Sequence, residues 1–322
     1  MVVPKVGVDD TRSAVTTSGP RPRVVVVSRS AEMLVDGLAP ALASGITVSG
    51  ARTLPRGRGI HGLVVAPPVR MTEEDLRQVP DLRVLVAAAI GDDHLPVRAA
   101  DRRGVPVTTI AGYCTVEVAD HTIAMAASLL RAIPAGERQV RSGRWDTSAL
   151  GARRITGSRL GIVGLGGTGR LVLGRARGLG MTVAVHAPRT PRETIVALGG
   201  EPRESLPDLL AEVDVLTLHV PLTERTRGLI GAGELRRMKR GSYLVNTSRG
   251  ELVDLAALRA ALQDGHLAGA ALDVFDEEPV PAGHPAFDLP NTVLTPHMAW
   301  LSPEATPAGV GMIADALNLA LG

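Results

Sequence analysis

The run Leu160-Gly161-Ile162-Val163-Gly164-Leu165-Gly166-Gly167-Thr168-Gly169-Arg170 leaves this chain few ways to fold. It reads as a short apolar strand, a glycine turn and a helix beginning near Thr168. Gly164, Gly166 and Gly169 fit the spacing G-x-G-x-x-G. The first glycine lets the chain turn tightly, and the second lets backbone N–H groups approach a pyrophosphate. The third lets the helix lie close to the strand with its N-terminus aimed at the anion. The pattern alone also describes ordinary glycine turns, so its surroundings decide. Leu171 to Gly180 is amphipathic and ends in glycine, and Met181 to His186 is a second β-branched strand. The resulting βαβ unit of about 30 residues has the length expected of a dinucleotide-binding fingerprint.

A chain of 322 residues points to two domains. Hydrophobic residues make up 45% and aromatics only 2%, so the cores must be Val, Leu, Ile and Ala. That composition suits parallel strands covered by helices on both faces. The formal net charge of +2, with signs interspersed, gives no basic stripe for nucleic acid. The single cysteine, Cys114, excludes an internal disulfide framework and agrees with a reducing compartment. No run approaches the ~18 apolar residues of a membrane span, and the start lacks an apolar signal core. The expectation is a soluble cytoplasmic protein with no membrane or nucleic-acid partner.

Residues 1–20 are polar and aperiodic, and are expected to form a flexible extension. Arg23 to Ser28 reads as a buried strand. From there to Val107, strands at Leu63–Val65 and Val84–Ala87 alternate with helical stretches in a smaller α/β region. Asp120 and His121 are expected to cap a long apolar connector helix over Thr122–Ile133. Beyond it, strands are expected at Val213–Val220, Ser242–Asn246, Gly269–Phe275 and Thr292–Thr295. Helices are expected near Ala232–Met238, Leu255–Asp264 and Glu304–Leu321. Five or six parallel strands would make a doubly wound sheet, and ligands of such sheets lie beyond the carboxyl ends of the strands. There the chain carries Thr247-Ser248-Arg249-Gly250, Asp273-Val274-Phe275-Asp276-Glu277-Glu278-Pro279 and Thr295-Pro296-His297-Met298-Ala299-Trp300. An Arg, a carboxylate cluster and a His on one edge suit hydride transfer to a carbonyl beside a carboxylate. Arg forks onto carboxylates, His exchanges protons near neutrality, and a neighbouring carboxylate favours the protonated ring.

At these residues the chain resembles the D-isomer-specific 2-hydroxyacid dehydrogenases, of the D-3-phosphoglycerate dehydrogenase and glyoxylate-hydroxypyruvate reductase type. The likeness runs from about Leu82 to Trp300. It takes in Gly112-Tyr113-Cys114-Thr115-Val116-Glu117-Val118-Ala119-Asp120-His121, the glycine fingerprint and Val220-Pro221-Leu222-Thr223. It continues through Val245 to Asp254, Asp273-Val274-Phe275 with Glu278-Pro279, and Thr295-Pro296-His297. The resemblance implies Arg249 as the substrate-orienting cation, His297 as the proton donor and Glu278 as its partner. It implies Asp273 on the nicotinamide carboxamide and backbone groups of Gly167 and Thr168 at the pyrophosphate, with Thr247 and Ser248 also beside the cofactor. The substrate carboxylate would rest on the loop Ala89-Ile90-Gly91. It further implies a Rossmann-type coenzyme domain (119–302) inserted in a flavodoxin-like substrate domain (21–118 plus 303–322), and a homodimer through the connector helix.

The chain also departs from that family. Members preferring NAD carry an acid at the end of the second strand for the ribose diol, and here that position is Ala187, in His186-Ala187-Pro188-Arg189-Thr190. No carboxylate follows until Glu193. A missing acid and a nearby Arg189 suit a 2′-phosphate, so NADPH is expected over NADH. Relatives that handle phosphorylated acids carry Arg-Ser after the strand at Leu63–Val65, where this chain has Ala66-Pro67-Pro68 and, further on, Arg70. A phosphorylated substrate is therefore not expected, and Trp300 suggests a partly apolar pocket. No regulatory domain is expected after residue 322, and so no serine-type feedback. Asp276 and Glu277 read as solvated and Cys114 as a small core residue. His94, His186 and His219 lack ligand spacing, so no metal is expected. The alternative to an oxidoreductase is a protein that senses nicotinamide cofactor, as corepressor relatives with similar Tyr-Cys-Thr and Pro-His segments do.

Overall fold

The computed structural model describes residues 21–148 and 150–322, so the extension expected over residues 1–20 lies outside the described residues. The first part of the chain runs β1 (Arg23–Val27), α1 (Ala31–Leu38), β2 (Thr47–Ala51), β3 (Gly62–Val65), α2 (Glu73–Arg77), β4 (Val84–Ala87), α3 (Val97–Arg102) and β5 (Val107–Thr109). Its valine-rich runs make a parallel sheet in the order β2-β1-β3-β4-β5, the flavodoxin arrangement. Two helices follow, α4 (Thr115–Leu130) and α5 (Ile133–Arg141). The chain then forms β6 (Arg159–Val163), α6 (Gly167–Gly178), β7 (Thr182–His186), α7 (Arg192–Ala197), β8 (Glu201–Pro202), α8 (Leu206–Leu210) and β9 (Val215–Leu218). It ends with α9 (Ala232–Arg237), β10 (Ser242–Asn246), α10 (Leu255–Gln263), β11 (Leu267–Leu272), β12 (Thr292–Leu294) and α11 (Ala305–Leu321).

The second sheet has seven strands in the order β12-β11-β10-β9-β6-β7-β8. Counted from β6, this is the doubly wound order 3-2-1-4-5-6 with one strand added at the far edge. Five or six strands were expected. The sheet gains β8, whose two residues pair with Ala184 and Val185 and are too few to show a period. Pro202 is tolerated there because β8 is an edge strand. The half-exposed β2 has no clean alternation either. β9 and β11 end earlier than expected, at Leu218 and Leu272, although the His219 and Asp273 amides still donate to the Val163 and Asn246 carbonyls of the neighbouring strands.

The connector helix differs more. It was expected from Thr122 behind a cap of Asp120 and His121, but α4 starts at Thr115, after a turn at Gly112 with φ +101°. Asp120 and His121 therefore lie inside the helix. Asp120 pairs with Arg175 of α6, and His121 reaches Thr295. The helix also stops at Leu130 instead of reaching Ile133. Pro134 has no amide hydrogen to continue the ladder, and Ala132 turns at φ +52° before α5 restarts.

Each sheet is buried on both faces. Ala119, Met125, Ala126 and Leu129 of α4 pack with Ile162, Val185, Tyr243 and Val245 of the seven-stranded sheet. The opposite face is filled by Leu216, Leu218, Leu244, Leu258 and Leu262. Helix α11 packs on the five-stranded sheet, laying Ile313, Ala314 and Leu317 against Val24, Val64, Val84 and Val86. Gly62 gives it room, since a Cβ there would lie 3.2 Å from Leu317 and 3.1 Å from Leu321. Each such buried aliphatic side chain contributes roughly 1.5–3 kcal/mol. No helix among the described residues is long and apolar enough to cross a membrane.

Candidate active site

The glycine turn lies between the ends of β6 and β9, where the strand order of the larger sheet reverses. Gly164 turns at φ +91°, and a Cβ there would sit 2.4 Å from the His219 carbonyl oxygen. A Cβ on Gly169 would sit 2.5 Å from the Gly164 carbonyl oxygen, so the third glycine allows α6 to approach the strand. Gly166 meets nothing within 4 Å, and both Gly166 and Gly167 are exposed at the helix start. Tight packing at the first and third glycines with open space at the second fits a pyrophosphate held by backbone N–H groups. Burial depresses the His219 imidazole to about 4, so a neutral ring lies beneath this turn.

Strand β10 delivers Arg249 through a turn that Asn246 closes. Its side chain donates to the Arg249 carbonyl at 2.7 Å and accepts from the Ser248 amide at 3.1 Å. Ser248 donates to the Leu218 carbonyl at 2.6 Å, and the Thr247 hydroxyl lies 2.8 Å from that of Thr122 on α4. Gly250 follows at the closest approach in the site, because a Cβ there would lie 2.0 Å from the carbonyl carbon of Phe275. The Arg249 side chain crosses to the loop after β4. There Nε lies 3.0 and 3.2 Å from the two carboxylate oxygens of Asp93, and Nη2 lies 2.9 Å from Oδ1. Burial alone would raise the Asp93 carboxyl, but hydrogen bonds and charge from Arg249 outweigh it and hold it below the usual carboxylate range. The loop Ala89-Ile90-Gly91 comes to the same guanidinium, with a Cβ on Gly91 falling 2.8 Å from Nη2. Arg70 is engaged elsewhere, donating to Glu251 at 3.0 Å.

Strands β11 and β12 deliver the remaining groups. Nδ1 of His297 lies 2.5 Å from Oε2 of Glu278, whose other oxygen accepts from the Phe275 amide at 2.8 Å. The carboxylate can only accept, so the ring N–H at Nδ1 donates and Nε2 makes no hydrogen bond among the described residues. The His297 side chain is one-third exposed, at 33%. Its backbone adopts φ +51°, a left-handed conformation that costs a non-glycine residue about 1–3 kcal/mol. The surrounding bonds hold it there. Asp273 is fully buried and accepts from the Thr295 hydroxyl at 2.6 Å and from the Met298 and Ala299 amides at 2.9 Å each, while its carbonyl accepts from the His297 amide at 2.8 Å. Trp300 donates from Nε1 to the His297 carbonyl at 2.9 Å.

Arg249 thus meets Gly91 of the Ala89–Gly91 loop, and His297 meets Glu278. Arg189 stands apart, exposed past the end of β7 without an ion pair among the described residues, while Ala187 is buried. Asp276 is about half exposed but pairs with His284 at 3.1 Å. Cys114 is buried, and burial pushes its thiol up to about 11. No cluster of three or more His, Cys, Asp or Glu among the described residues could hold a metal. Sequence reasoning missed Asp93, whose partner lies 156 residues away, and Asn246, which reads as the end of a strand.

Residues 123–299 match the sequence pattern described as the D-isomer specific 2-hydroxyacid dehydrogenase, NAD binding domain. The chain belongs to that family. The dehydrogenase is 38% identical over 272 residues to (S)-sulfolactate dehydrogenase of Chromohalobacter salexigens, covering 84% of this chain and 88% of the relative. It is 40% identical over 248 residues to glyoxylate reductase of Korarchaeum cryptofilum, covering 76% and 74%. Among solved structures it is similar to D-lactate dehydrogenase of Aquifex aeolicus complexed with NAD and lactic acid, at TM-score 0.83 and 26% identity, covering 92% and 94%. The dehydrogenase is an oxidoreductase that interconverts 2-oxo and 2-hydroxy acids with a nicotinamide cofactor. The cofactor-sensing alternative is not favoured.

Proposed function

We propose that the protein reduces small, unphosphorylated 2-oxo acids to D-2-hydroxy acids, with NADPH preferred and His297 as the acid. The observation that carries this is the His297–Glu278 pair at 2.5 Å, with Nε2 free of protein partners among the described residues. When bound, the nicotinamide supplies the hydride to the carbonyl carbon. Glu278 holds the His297 ring through Nδ1, so Nε2 is left to give a proton to the carbonyl oxygen as negative charge develops there. Arg249 grips the carbonyl and carboxylate oxygens, and the backbone N–H groups of Ala89–Gly91 take the rest of the carboxylate. Gly164, Gly166, Gly167, Thr168 and Gly169 hold the pyrophosphate, with Thr247, Ser248 and Asp273 beside the nicotinamide end. Arg70 and Arg249 both face carboxylates of the protein, which supports a substrate with one carboxylate and no phosphate.

NADPH preference is supported by Ala187 in place of an acid and by the exposed Arg189, which has no ion pair among the described residues. We assign residues 119–302 to the coenzyme domain, and 21–118 with 303–322 to the substrate domain. A cytoplasmic homodimer is supported by the lone buried cysteine and by the apolar residues that α5 and its C-terminal extension leave exposed, Ile133, Val140 and the 90% exposed Trp145. Sedimentation velocity should show a dimer, and a monomer at micromolar concentration contradicts that assignment. A panel of 2-oxo acids assayed with each cofactor tests the reading. Turnover is expected with short monocarboxylic 2-oxo acids, with kcat/KM for NADPH at least about tenfold that for NADH and reduced in Arg189→Ala. A clear NADH preference overturns the cofactor assignment. Tight cofactor binding without turnover on any member overturns the enzyme reading.

A further inference from the structure

The Asp93–Arg249 pair joins the two halves of the site, since Asp93 follows β4 of the smaller sheet and Arg249 follows β10 of the larger. Arg249 has five N–H bonds. Nε and one N–H of Nη2 go to Asp93, and one N–H of Nη1 goes to the Ser248 carbonyl at 2.8 Å. One N–H on each terminal nitrogen is left, which is what a two-pronged grip on substrate oxygens requires. Both partners are shielded, with about a fifth of each side chain exposed. A long Arg side chain without such an anchor samples several rotamers. Gly91 lies against the pair, a Cβ there falling 2.9 Å from Asp93 Oδ1 and 2.8 Å from Arg249 Nη2, so the same contact sets the distance between the substrate loop and the guanidinium. His94 supports the loop from below. Its Nε2 lies 3.1 Å from the Val65 carbonyl, and burial lowers the imidazole, so it stays neutral and adds no competing charge.

We infer that Asp93 is a positioning residue for the reaction: its carboxylate fixes Arg249 so that the two remaining guanidinium N–H groups face the 2-oxo acid. This rests on the role proposed above for Arg249. The carboxylate does not touch substrate, and it acts through the geometry of Arg249 alone.

The test compares Asp93→Ala, Asp93→Asn and Arg249→Lys, singly and combined, in the full-length enzyme with NADPH and the best 2-oxo acid of the panel. Asp93→Ala is expected to lower kcat about 100-fold, the scale set by roughly 1 Å of misplacement. KM for the 2-oxo acid should change by no more than about threefold, because the freed guanidinium still attracts the carboxylate. Asp93→Asn, which keeps one acceptor, should recover part of kcat. Melting temperature and cofactor Kd should stay at wild-type values in both, which a merely structural role would not allow. In the Arg249→Lys background, which lacks the fork, adding Asp93→Ala should have almost no further effect. Wild-type kcat in both Asp93 variants overturns the inference, as does a fall in KM at unchanged kcat, which would make Asp93 a competitor of substrate. So does an undiminished effect of Asp93→Ala in the Arg249→Lys background. Failure of the underlying reading looks different: Arg249→Lys itself would then turn over like wild type.

Discussion

His297→Asn is expected to lower turnover of a 2-oxo acid by two to four orders of magnitude while leaving cofactor binding within about twofold of wild type. Positioned general acid catalysis contributes about 10²–10⁴ in rate. Nδ1 is committed to Glu278 at 2.5 Å, which leaves Nε2 without a hydrogen-bond partner among the described residues. Asparagine also adopts the left-handed conformation seen at φ +51°, so the loop should survive the change. The cofactor cradle proposed at Gly164, Gly166 and Gly169 lies on a different strand end, which is why the two readouts should separate. Turnover within tenfold of wild type would remove His297 from its assigned role.

Gly250→Ala is expected to cost about 3 kcal/mol or more in stability and, in whatever folds, about 100-fold in kcat/KM. Its Cβ would lie 2.0 Å from the Phe275 carbonyl carbon and 2.4 Å from the Asp276 amide nitrogen. Both are backbone atoms, which cannot rotate aside as a side chain can. The turn carrying Arg249 and the loop carrying Glu278 must therefore separate, so both ends of the site move together. Gly166→Ala is the control. Its Cβ meets nothing within 4 Å, so the melting temperature should hold while cofactor affinity falls, because the added methyl occupies the approach to the pyrophosphate. A Gly250→Ala protein with wild-type melting temperature and kcat/KM would show that this approach does not set the site.

Much of this was legible in the sequence because the signals were local. Ser242–Asn246, with Tyr243-Leu244-Val245 at its centre, forms β10 without adjustment, and the helix expected over Leu255–Asp264 forms as α10 over Leu255–Gln263. The short segments after the strands drew attention to Arg249, a carboxylate cluster and His297, since chain direction alone places those segments at one sheet edge. The family resemblance singled out Glu278 within the cluster. What was not legible depends on tertiary packing. Asp93 sits in an unremarked Asp-Asp-His loop and acquires meaning only when the two sheets bring it to Arg249. β8 is a two-residue edge pairing without any periodicity of its own. The start of α4 was misplaced because Asp120 and His121 look like caps, yet their side chains are drawn to Arg175 and Thr295 on other elements.

The central claim is direct hydride delivery to one face of a 2-oxo acid held by Arg249 and protonated by His297. It is tested most directly by reducing a prochiral 2-oxo acid with cofactor deuterated at the transferable position of the nicotinamide, then analysing the product by mass spectrometry and chiral chromatography. The expected result is one deuterium at C2 of the hydroxy acid and the D enantiomer alone. A product without deuterium at C2, or one that is racemic or of L configuration, would contradict the account.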